Sequence, residues 1–214
     1  MHYAVIDEEF CNVAYGARTK EYELKNEIIQ IGIVLLDDKF EVVDKFTAYI
    51  RPQHGHVDGF IKRLTGIDQY SVSRGEVLED VLDKIHDWLP DDSTMVSWSM
   101  HDRKQLMSET LAKNIDTEWF KEKYESWIDC QAEFGQRIES RKAYRLEEAI
   151  YLSDIEAVGN YHDGLADAYN TAMLFRKMRT EEHFSTSNKY TKENEPSVGI
   201  TFSLANLLEG LVIA

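Results

Sequence analysis

The sequence predicts an α/β protein, in which a run of strands comes first and strand–helix units follow. Three observations carry this prediction. The first third holds Ile-, Val- and Phe-rich runs, residues 76–89 repeat apolar side chains at helical spacing, and later apolar runs precede helical patterns. The 214 residues are enough for one domain with its own hydrophobic core and an additional terminal segment. We expect that domain over 1–182, and a polar linker with a short apolar tail over 183–214.

The first half is predicted to form three strands, at 3–7, 27–36 and 40–51. Asp37 and Asp38 mark a tight turn between the second strand and the third. Strands that follow each other closely in sequence usually pair. Their order therefore predicts an antiparallel meander.

Helices are predicted to cover this sheet. The apolar residues of 76–89 form one helical face and Pro90 ends the run, which indicates an amphipathic helix. The later predicted elements are strands at 94–98 and 127–130, and helices at 102–113, 131–140, 145–152 and 165–179.

The C-terminal region changes in composition. Residues 185–199 are polar and contain Pro196, which is typical of a linker. Residues 200–214 are apolar again, and their large side chains would form one face of a short helix. These side chains are Phe202, Leu204, Leu207, Leu208 and Leu211. This tail either docks on its own domain or makes a self-association or partner contact, and the sequence leaves both open.

The net charge and the number of cysteines indicate which ligands and which cellular compartment to expect. A formal net charge of −15 argues against broad adhesion to nucleic acids, because that affinity comes from lysines and arginines that displace counterions. Acids that hold divalent cations would reverse the local sign. The chain shows no export signal and no apolar stretch of membrane-spanning length. Cys11 and Cys130 are too few for a disulfide framework, so we expect a cytoplasmic protein without membrane insertion.

Two carboxylates converge at the first predicted strand. Asp7 and Glu9 lie two residues apart near its end, and strand alternation puts both side chains on the same face. A solvated sheet edge explains most such pairs when nothing else accompanies them. Three residues further along the chain strengthen the interpretation of this pair as part of a functional site.

Those residues are Asp102, His162 and Asp167. Asp102 follows the predicted strand at 94–98, at the end where α/β sheets usually place ligand groups. Asp167 falls in the first turn of the last predicted helix, and His162 lies in the loop before it. Taken singly, Asp167 is explained as an acid that stabilises the helix dipole, and His162 as an ordinary surface or core imidazole.

Taken together, these residues resemble the three motifs of the DEDDh (DnaQ-like) 3′-to-5′ exonuclease family: Asp-x-Glu on a first strand, Asp after a later strand, and His-x4-Asp at a last helix. The resemblance covers about residues 3–180. It is reinforced by the segments EIIQIG at 27–32 and RLTGI at 63–67, and by Trp98. It looks closest to the small stand-alone Eri-like and KapD-like members.

The resemblance implies an RNase H-like fold, a mixed five-stranded sheet flanked by helices. It implies two Mg²⁺ or Mn²⁺ ions held by four acids, with a histidine as general base for the attacking water. The residues that match are Asp7, Glu9, Asp102 and Asp167 for the metals, and His162 for the base. Hard divalent ions prefer carboxylate oxygens and can stabilise both oxygens of a phosphoryl displacement. The expected products are nucleoside 5′-monophosphates, released from 3′ ends of single-stranded RNA or DNA.

Two positions depart from the family pattern. Glu8 stands where the family usually has an apolar or small residue, and we expect its side chain on the opposite face of the strand. Phe10 stands where a small residue or Thr is common. A stack of Phe10 on a terminal base would contribute about 1 to 3 kcal/mol, although a core position under the sheet explains it equally well. The residues predicted to contact substrate are Glu9, Phe10, Trp98 and His162.

A catalytically weak module that binds nucleic-acid 3′ ends is the alternative from another class. The full set of four acids and a histidine speaks against it, because a binder has no need of them. A phosphatase with an aspartyl nucleophile is excluded because position 9 is Glu. Calcium loops are excluded because the acid pairs at 37–38 and 91–92 lack the alternating acids and glycine of an EF-hand.

Overall fold

The protein is described by a computed structural model over residues 1–19 and 22–187, and its centre is one mixed β-sheet. The strands are β1 His2–Val13, β2 Asn26–Leu36, β3 Val42–Tyr49, β4 Gly55–His56, β5 Ser93–Ser97 and β6 Ile128–Asp129. Their order is β3-β2-β1-β5-β6, with β4 paired to β1 beside this path. The first three strands pair antiparallel, which confirms the meander, and β5 and β6 continue in parallel.

The first strand is longer than its sequence predicts. Its parallel pairing with β5 stops at Ile6, but the antiparallel ladder with β2 continues to Asn12, and β4 pairs with its last two residues. The predicted strand end at Asp7 is therefore wrong. The acidic residues after Ile6 suggested an end, but β2 supplies the hydrogen bonds that keep them extended. Asp7 instead lies just past the last residue of β1 that pairs with β5. From Asp7 onward, the edge of β1 that faced β5 is free of that strand.

All the predicted helices are present. The α-helices are α1 Gly59–Thr65, α2 Gln69–Ser73, α3 Leu78–Trp88, α4 Met100–Ala112, α5 Lys121–Glu125, α6 Cys130–Arg137, α7 Leu146–Leu152 and α8 Gly164–Thr180. Helices α1, α2 and α5 were not predicted, because five to seven residues carry too little periodicity. Short 3₁₀ turns lie at Tyr15–Ala17 and Glu118–Phe120.

The two faces of the sheet carry separate cores. One core holds Ala4 and Ile6 with Leu106 of α4, and the other holds Val5 with Phe175 of α8. Strand β2 contributes to both, and every residue from Glu27 to Leu36 is buried. The sheet is therefore covered on both sides, as the α/β prediction requires.

The described chain ends beside α7. Phe184 packs edge-to-face on Phe134, with ring centroids 6.0 Å apart, and the Ser187 N–H donates to the Leu152 carbonyl at 2.7 Å. The predicted apolar tail at 200–214 lies outside the described residues, and the domain boundary at 182 stays a prediction. Within the described ranges, no helix has the length and apolar character needed to cross a membrane.

Candidate active site

The five residues predicted to carry the chemistry line a single cleft, here called the acidic cleft, with a volume of about 790 Å³. They are Asp7, Glu9, Asp102, His162 and Asp167. The substrate candidates Phe10 and Trp98 line the same cleft. The fold thus gathers residues that are up to 160 positions apart in the chain (167 − 7).

Helix α4 brings Asp102 to β1. The Ser99 side chain caps the helix by accepting a hydrogen bond from the His101 N–H, which places Asp102 in the first turn. Its Oδ1 accepts the Glu8 N–H at 3.2 Å. This bond uses a backbone donor of β1 just past the end of its pairing with β5, so the strand and the helix are fixed to each other at the site.

Helix α8 brings Asp167 to the other side of β1, and this requires close contact between backbones. A Cβ on Gly32 of β2 would lie 2.3 Å from the Gly164 carbonyl carbon, so no larger residue fits without displacement. The Gly164 N–H donates to Gln30 Oε1 at 3.0 Å. Gln30 and Gly32 both belong to the segment at 27–32 that carries part of the family resemblance, and this contact is the physical reason for their identities.

His162 lies in the loop before α8 and has a left-handed backbone, with φ of 66°. Its N–H donates to Asp167 Oδ2 at 2.8 Å, while its side chain is exposed. Asp163 caps α8 by accepting the N–H groups of Leu165 and Ala166. The loop is therefore fixed on both sides of an imidazole that remains free to contact a ligand.

Three of the predicted residues form a compact ligand group. Glu9, His162 and Asp167 each offer an atom, and these atoms lie within 4.8 Å of one another. Asp167 Oδ1 is buried and has no hydrogen-bond partner among the described residues. Asp7 and Asp102 line the same cleft but stand outside this tightest group. A buried carboxylate oxygen without a hydrogen-bond partner, close to two other potential ligand atoms, is suited to coordinate a cation.

Burial raises the pKa of all four acids, and neighbouring carboxylates add to the effect for Asp7, Glu9 and Asp167. Loss of hydration, then the carboxylates of Asp102 and Asp167, hold the pKa of Asp7 well above its usual value. Burial, followed by Asp167 and Asp102, raises the pKa of Glu9 to about 8. Burial raises the pKa of Asp102 to about 7 and also raises that of Asp167. These groups repel in the free protein, and a divalent cation would relieve that repulsion.

The two aromatic candidates differ in how far they face the cleft. Trp98 is 8% exposed, its Nε1 donates to the Tyr144 carbonyl at 3.2 Å, and its ring packs near Phe134, so little of it faces outward. Phe10 is half-buried against the core and meets the exposed His101 edge-to-face, with centroids 5.3 Å apart. His101, which the sequence offers only as the next candidate for the general base after His162, lies directly before Asp102 at the same end of α4.

Glu8 also lines the acidic cleft, but its side chain lies on the opposite face of β1 from those of Asp7 and Glu9. It is 3% exposed, and neither carboxylate oxygen has a hydrogen-bond partner among the described residues. Burial, then Asp102 and Glu109, raise its pKa well above the usual value. Strand alternation puts Glu8 on the face of Ile6, in the core that holds Leu106, as expected.

The comparisons with known proteins agree with this geometry. The family model described as exonuclease, RNase T, matches residues 5–175. The chain therefore belongs to the DEDDh 3′-to-5′ exonuclease family that its motifs resemble.

Its relatives include exoribonucleases. ERI1 exoribonuclease 2 of Danio rerio is 31% identical over 179 residues, which cover 72% of this chain and 32% of the relative. The 3′-5′ exoribonuclease 1 of Homo sapiens is 30% identical over 166 residues, which cover 73% and 47%. The chain thus spans about a third to a half of these relatives.

One solved structure shares the RNase H-like fold over nearly its whole length. The nuclease domain of 3′hExo, a DEDDh family member bound to rAMP, has a TM-score of 0.67 at 23% identity. The match covers 87% of this chain and 96% of that domain. The mixed sheet flanked by helices confirms the fold that the resemblance implies.

Proposed function

We propose that the chain is a metal-dependent 3′-to-5′ exonuclease, which removes nucleoside 5′-monophosphates from single-stranded 3′ ends by two-metal-ion hydrolysis. The observation that carries the proposal is the convergence of Glu9, His162 and Asp167 in a cleft that also holds Asp7 and Asp102. Family membership and the relatives' names support the same reaction.

Four acids are proposed to hold the metals, namely Asp7, Glu9, Asp102 and Asp167. Their raised pKa values and the orphaned Asp167 oxygen support this assignment. When bound, Mg²⁺ or Mn²⁺ would supply Lewis-acid stabilisation of the attacking and leaving oxygens at the scissile phosphate.

The chain's own groups are proposed to bind the nucleotide and move the proton. His162 accepts a proton from the attacking water, a role that suits an imidazole near neutral pH. Its fixed backbone limits the motion that proton transfer would otherwise require. The terminal nucleotide occupies the acidic cleft, where Phe10 lies half-buried and Trp98 contributes a small part of the lining.

RNA is proposed as the first substrate to test, because the relatives are named exoribonucleases and the solved domain binds rAMP. The alternative, a weak or inactive 3′-end binding module, is retained because family members can keep a fold while losing turnover. A self-association or partner contact through residues 200–214 and a cytoplasmic location are proposals from sequence alone.

One experiment tests the function. Single-stranded RNA, single-stranded DNA and duplexes with 5′ labels would be incubated with Mg²⁺, Mn²⁺ or chelator. We expect stepwise shortening from the 3′ end, release of 5′-monophosphates, and no cleavage with chelator. Binding without shortening would favour the binding module, whereas internal cuts or cleavage in chelator would contradict the mechanism.

A further inference from the structure

The acidic cleft has one lysine or arginine among the described residues that line it, and this residue is Arg145. Its side chain is exposed. No hydrogen bond, ion pair or ring contact engages its guanidinium within the described ranges. The pKa of Glu148 is lowered against the effect of burial by hydrogen bonds from the Arg145 N–H and from Lys142, and to a lesser degree by the charge of Arg145. A guanidinium that makes no described hydrogen bond is therefore present at the rim of a cleft built from acids.

The backbone that carries this side chain is firmly held. The Tyr144 carbonyl accepts two hydrogen bonds from the cleft, from Trp98 Nε1 at 3.2 Å and from Gln131 Nε2 at 2.6 Å. The Arg145 N–H donates to Glu148 at 2.9 Å. The backbone beside the cleft is therefore fixed, so that a ligand contact by Arg145 would require the ordering of its side chain alone.

The local sequence is also unusual for a helix start. Arg145 occupies the N-cap of α7, where Ser, Thr, Asp or Asn would supply an acceptor for the first helical N–H groups. A guanidinium has donors and no acceptor, so it cannot cap. Helix capping by the side chain therefore does not account for an arginine at this position.

Beyond Arg145 the surface continues into a second depression, here called the outer groove. It has a volume of about 510 Å³. Arg145, Glu147 and Tyr161 line both the acidic cleft and the outer groove, so the two are adjoining. Its remaining lining includes Tyr151, whose side chain is 53% exposed.

We propose that Arg145 binds the phosphodiester just upstream of the scissile one, and that the outer groove receives the nucleotide attached to it. This inference rests on the proposed function and specifies the path of the substrate strand. Arginine forms strong, often bidentate bonds to phosphate oxygens. Tyrosine rings such as that of Tyr151 provide a stacking surface for a base of any identity.

The surrounding charges limit how many phosphates this wall of the cleft can bind. Lys142 is paired with Glu148 at 3.1 Å, and Glu147 is an exposed acid on the same wall. The wall therefore supplies one phosphate contact and not a basic track for a long strand. A single contact of this kind accommodates short single-stranded ends on a protein with a net charge of −15.

The test compares substrates with and without an upstream nucleotide. One is a single-stranded octanucleotide, and the other is the p-nitrophenyl ester of thymidine 5′-monophosphate, in which nitrophenol replaces the upstream strand. Arg145→Ala should lower kcat/KM for the octanucleotide about 10- to 100-fold, as for loss of a hydrogen bond between charged groups. The loss on the ester should be at least tenfold smaller.

Arg141→Ala is the matched control, because Arg141 is an exposed arginine four residues away that lines neither depression. Binding of the labelled octanucleotide with Ca²⁺ gives a second readout. Arg145→Ala should weaken it and reduce the slope of log Kd against log salt by about 0.7, the value for one single-strand phosphate contact. Arg145→Lys should retain most of that slope.

Equal losses for Arg145→Ala and Arg141→Ala would overturn the proposal, as would equal losses on both substrates. If the wild type does not hydrolyse the ester, the slope of log Kd against log salt tests the proposal. An unchanged slope in Arg145→Ala would then overturn it. A wild type that binds the octanucleotide and cuts neither substrate contradicts the proposed nuclease function, while the slope still tests the Arg145 contact.

Discussion

The backbones of Gly32 and Gly164 meet so closely that a Cβ on Gly32 would lie 2.3 Å from the Gly164 carbonyl carbon. Gly32→Ala should therefore push α8 away from the sheet, with a cost of about 1 to 3 kcal/mol for overpacking. Nuclease activity should fall further than stability alone explains, because Asp167 and His162 move with α8. Thermal melts and cleavage rates measure both effects.

Gly16→Ala is the control for that change, since a Cβ at Gly16 would meet nothing within 4 Å. It should leave both the melting temperature and the rate near those of the wild type. A fully active Gly32→Ala protein would show that α8 does not need this close approach.

His162→Ala should lower kcat by about 10² to 10⁴, the usual contribution of a general base, while the protein stays folded. Single-turnover rates with saturating RNA measure this. His101→Ala is the informative comparison, because His101 is exposed and lies next to Asp102. A normal rate for His162→Ala together with a large loss for His101→Ala would transfer the role of base to His101.

The free protein should lose stability as pH rises. Folding raises the pKa of Asp102 to about 7 and that of Glu9 to about 8, above the values near 4 of unfolded acids. A raised folded pKa gives stability that is fully present below the unfolded pKa and lost as pH rises through the folded pKa. In chelator, the melting temperature should fall from pH 5 to pH 8.5.

Glu9→Gln should reduce this fall, since the amide does not titrate. The measurement is a series of melts in chelator at constant ionic strength. An unchanged pH dependence in Glu9→Gln would show that Glu9 is ionised at low pH in the folded protein, contrary to the raised pKa.

Metal should stabilise the folded chain through the same acids. A ligand at a hundredfold excess over its Kd adds about 2.7 kcal/mol, and each kcal/mol moves the Tm of a domain this size by roughly 2 to 4 °C. Saturating Mn²⁺ should raise the Tm by several degrees, and Asp7→Asn or Asp102→Asn should shrink the gain. Identical gains in mutants and wild type would mean that other acids bind the ion.

Glu8 should be a site where a substitution stabilises the protein. Its carboxyl is buried without a described hydrogen-bond partner, and its pKa is raised. Glu8→Met removes that polar group at similar volume, and should raise the Tm at pH 8 by more than at pH 5. A lower Tm for Glu8→Met at both pH values would show that the carboxyl contributes a favourable contact.

Much of the fold follows from the sequence because its elements are long and periodic. The meander and α3 repeat their apolar residues often enough to be recognised, and the pattern of acids points to one end of the sheet. The extent of β1 does not follow, since pairing partners and not its own residues keep it extended beyond Asp7. Helices α1 and α2 are too short for a periodic signal.

The candidate site is predictable to the same degree. The acids and His162 are found through spacing that resembles a family, but their relative distances depend on contacts such as that of Gly32 with Gly164. Arg145 ends a basic stretch at 137–145 that could touch phosphates, but solvated surface charge explains such a stretch as well, because an exposed arginine looks the same in sequence whether or not it borders a cleft. The tertiary structure is needed to identify it.

The left-handed backbone of His162 determines which substitution should give an inactive variant that still binds its natural substrates. Asparagine adopts this conformation more readily than most residues, so His162→Asn should preserve the loop that Asp167 anchors while removing the imidazole. Under the proposed function, such a protein would stay bound to nucleic-acid 3′ ends without digesting them. Sequencing the retained strands would then identify the natural substrates.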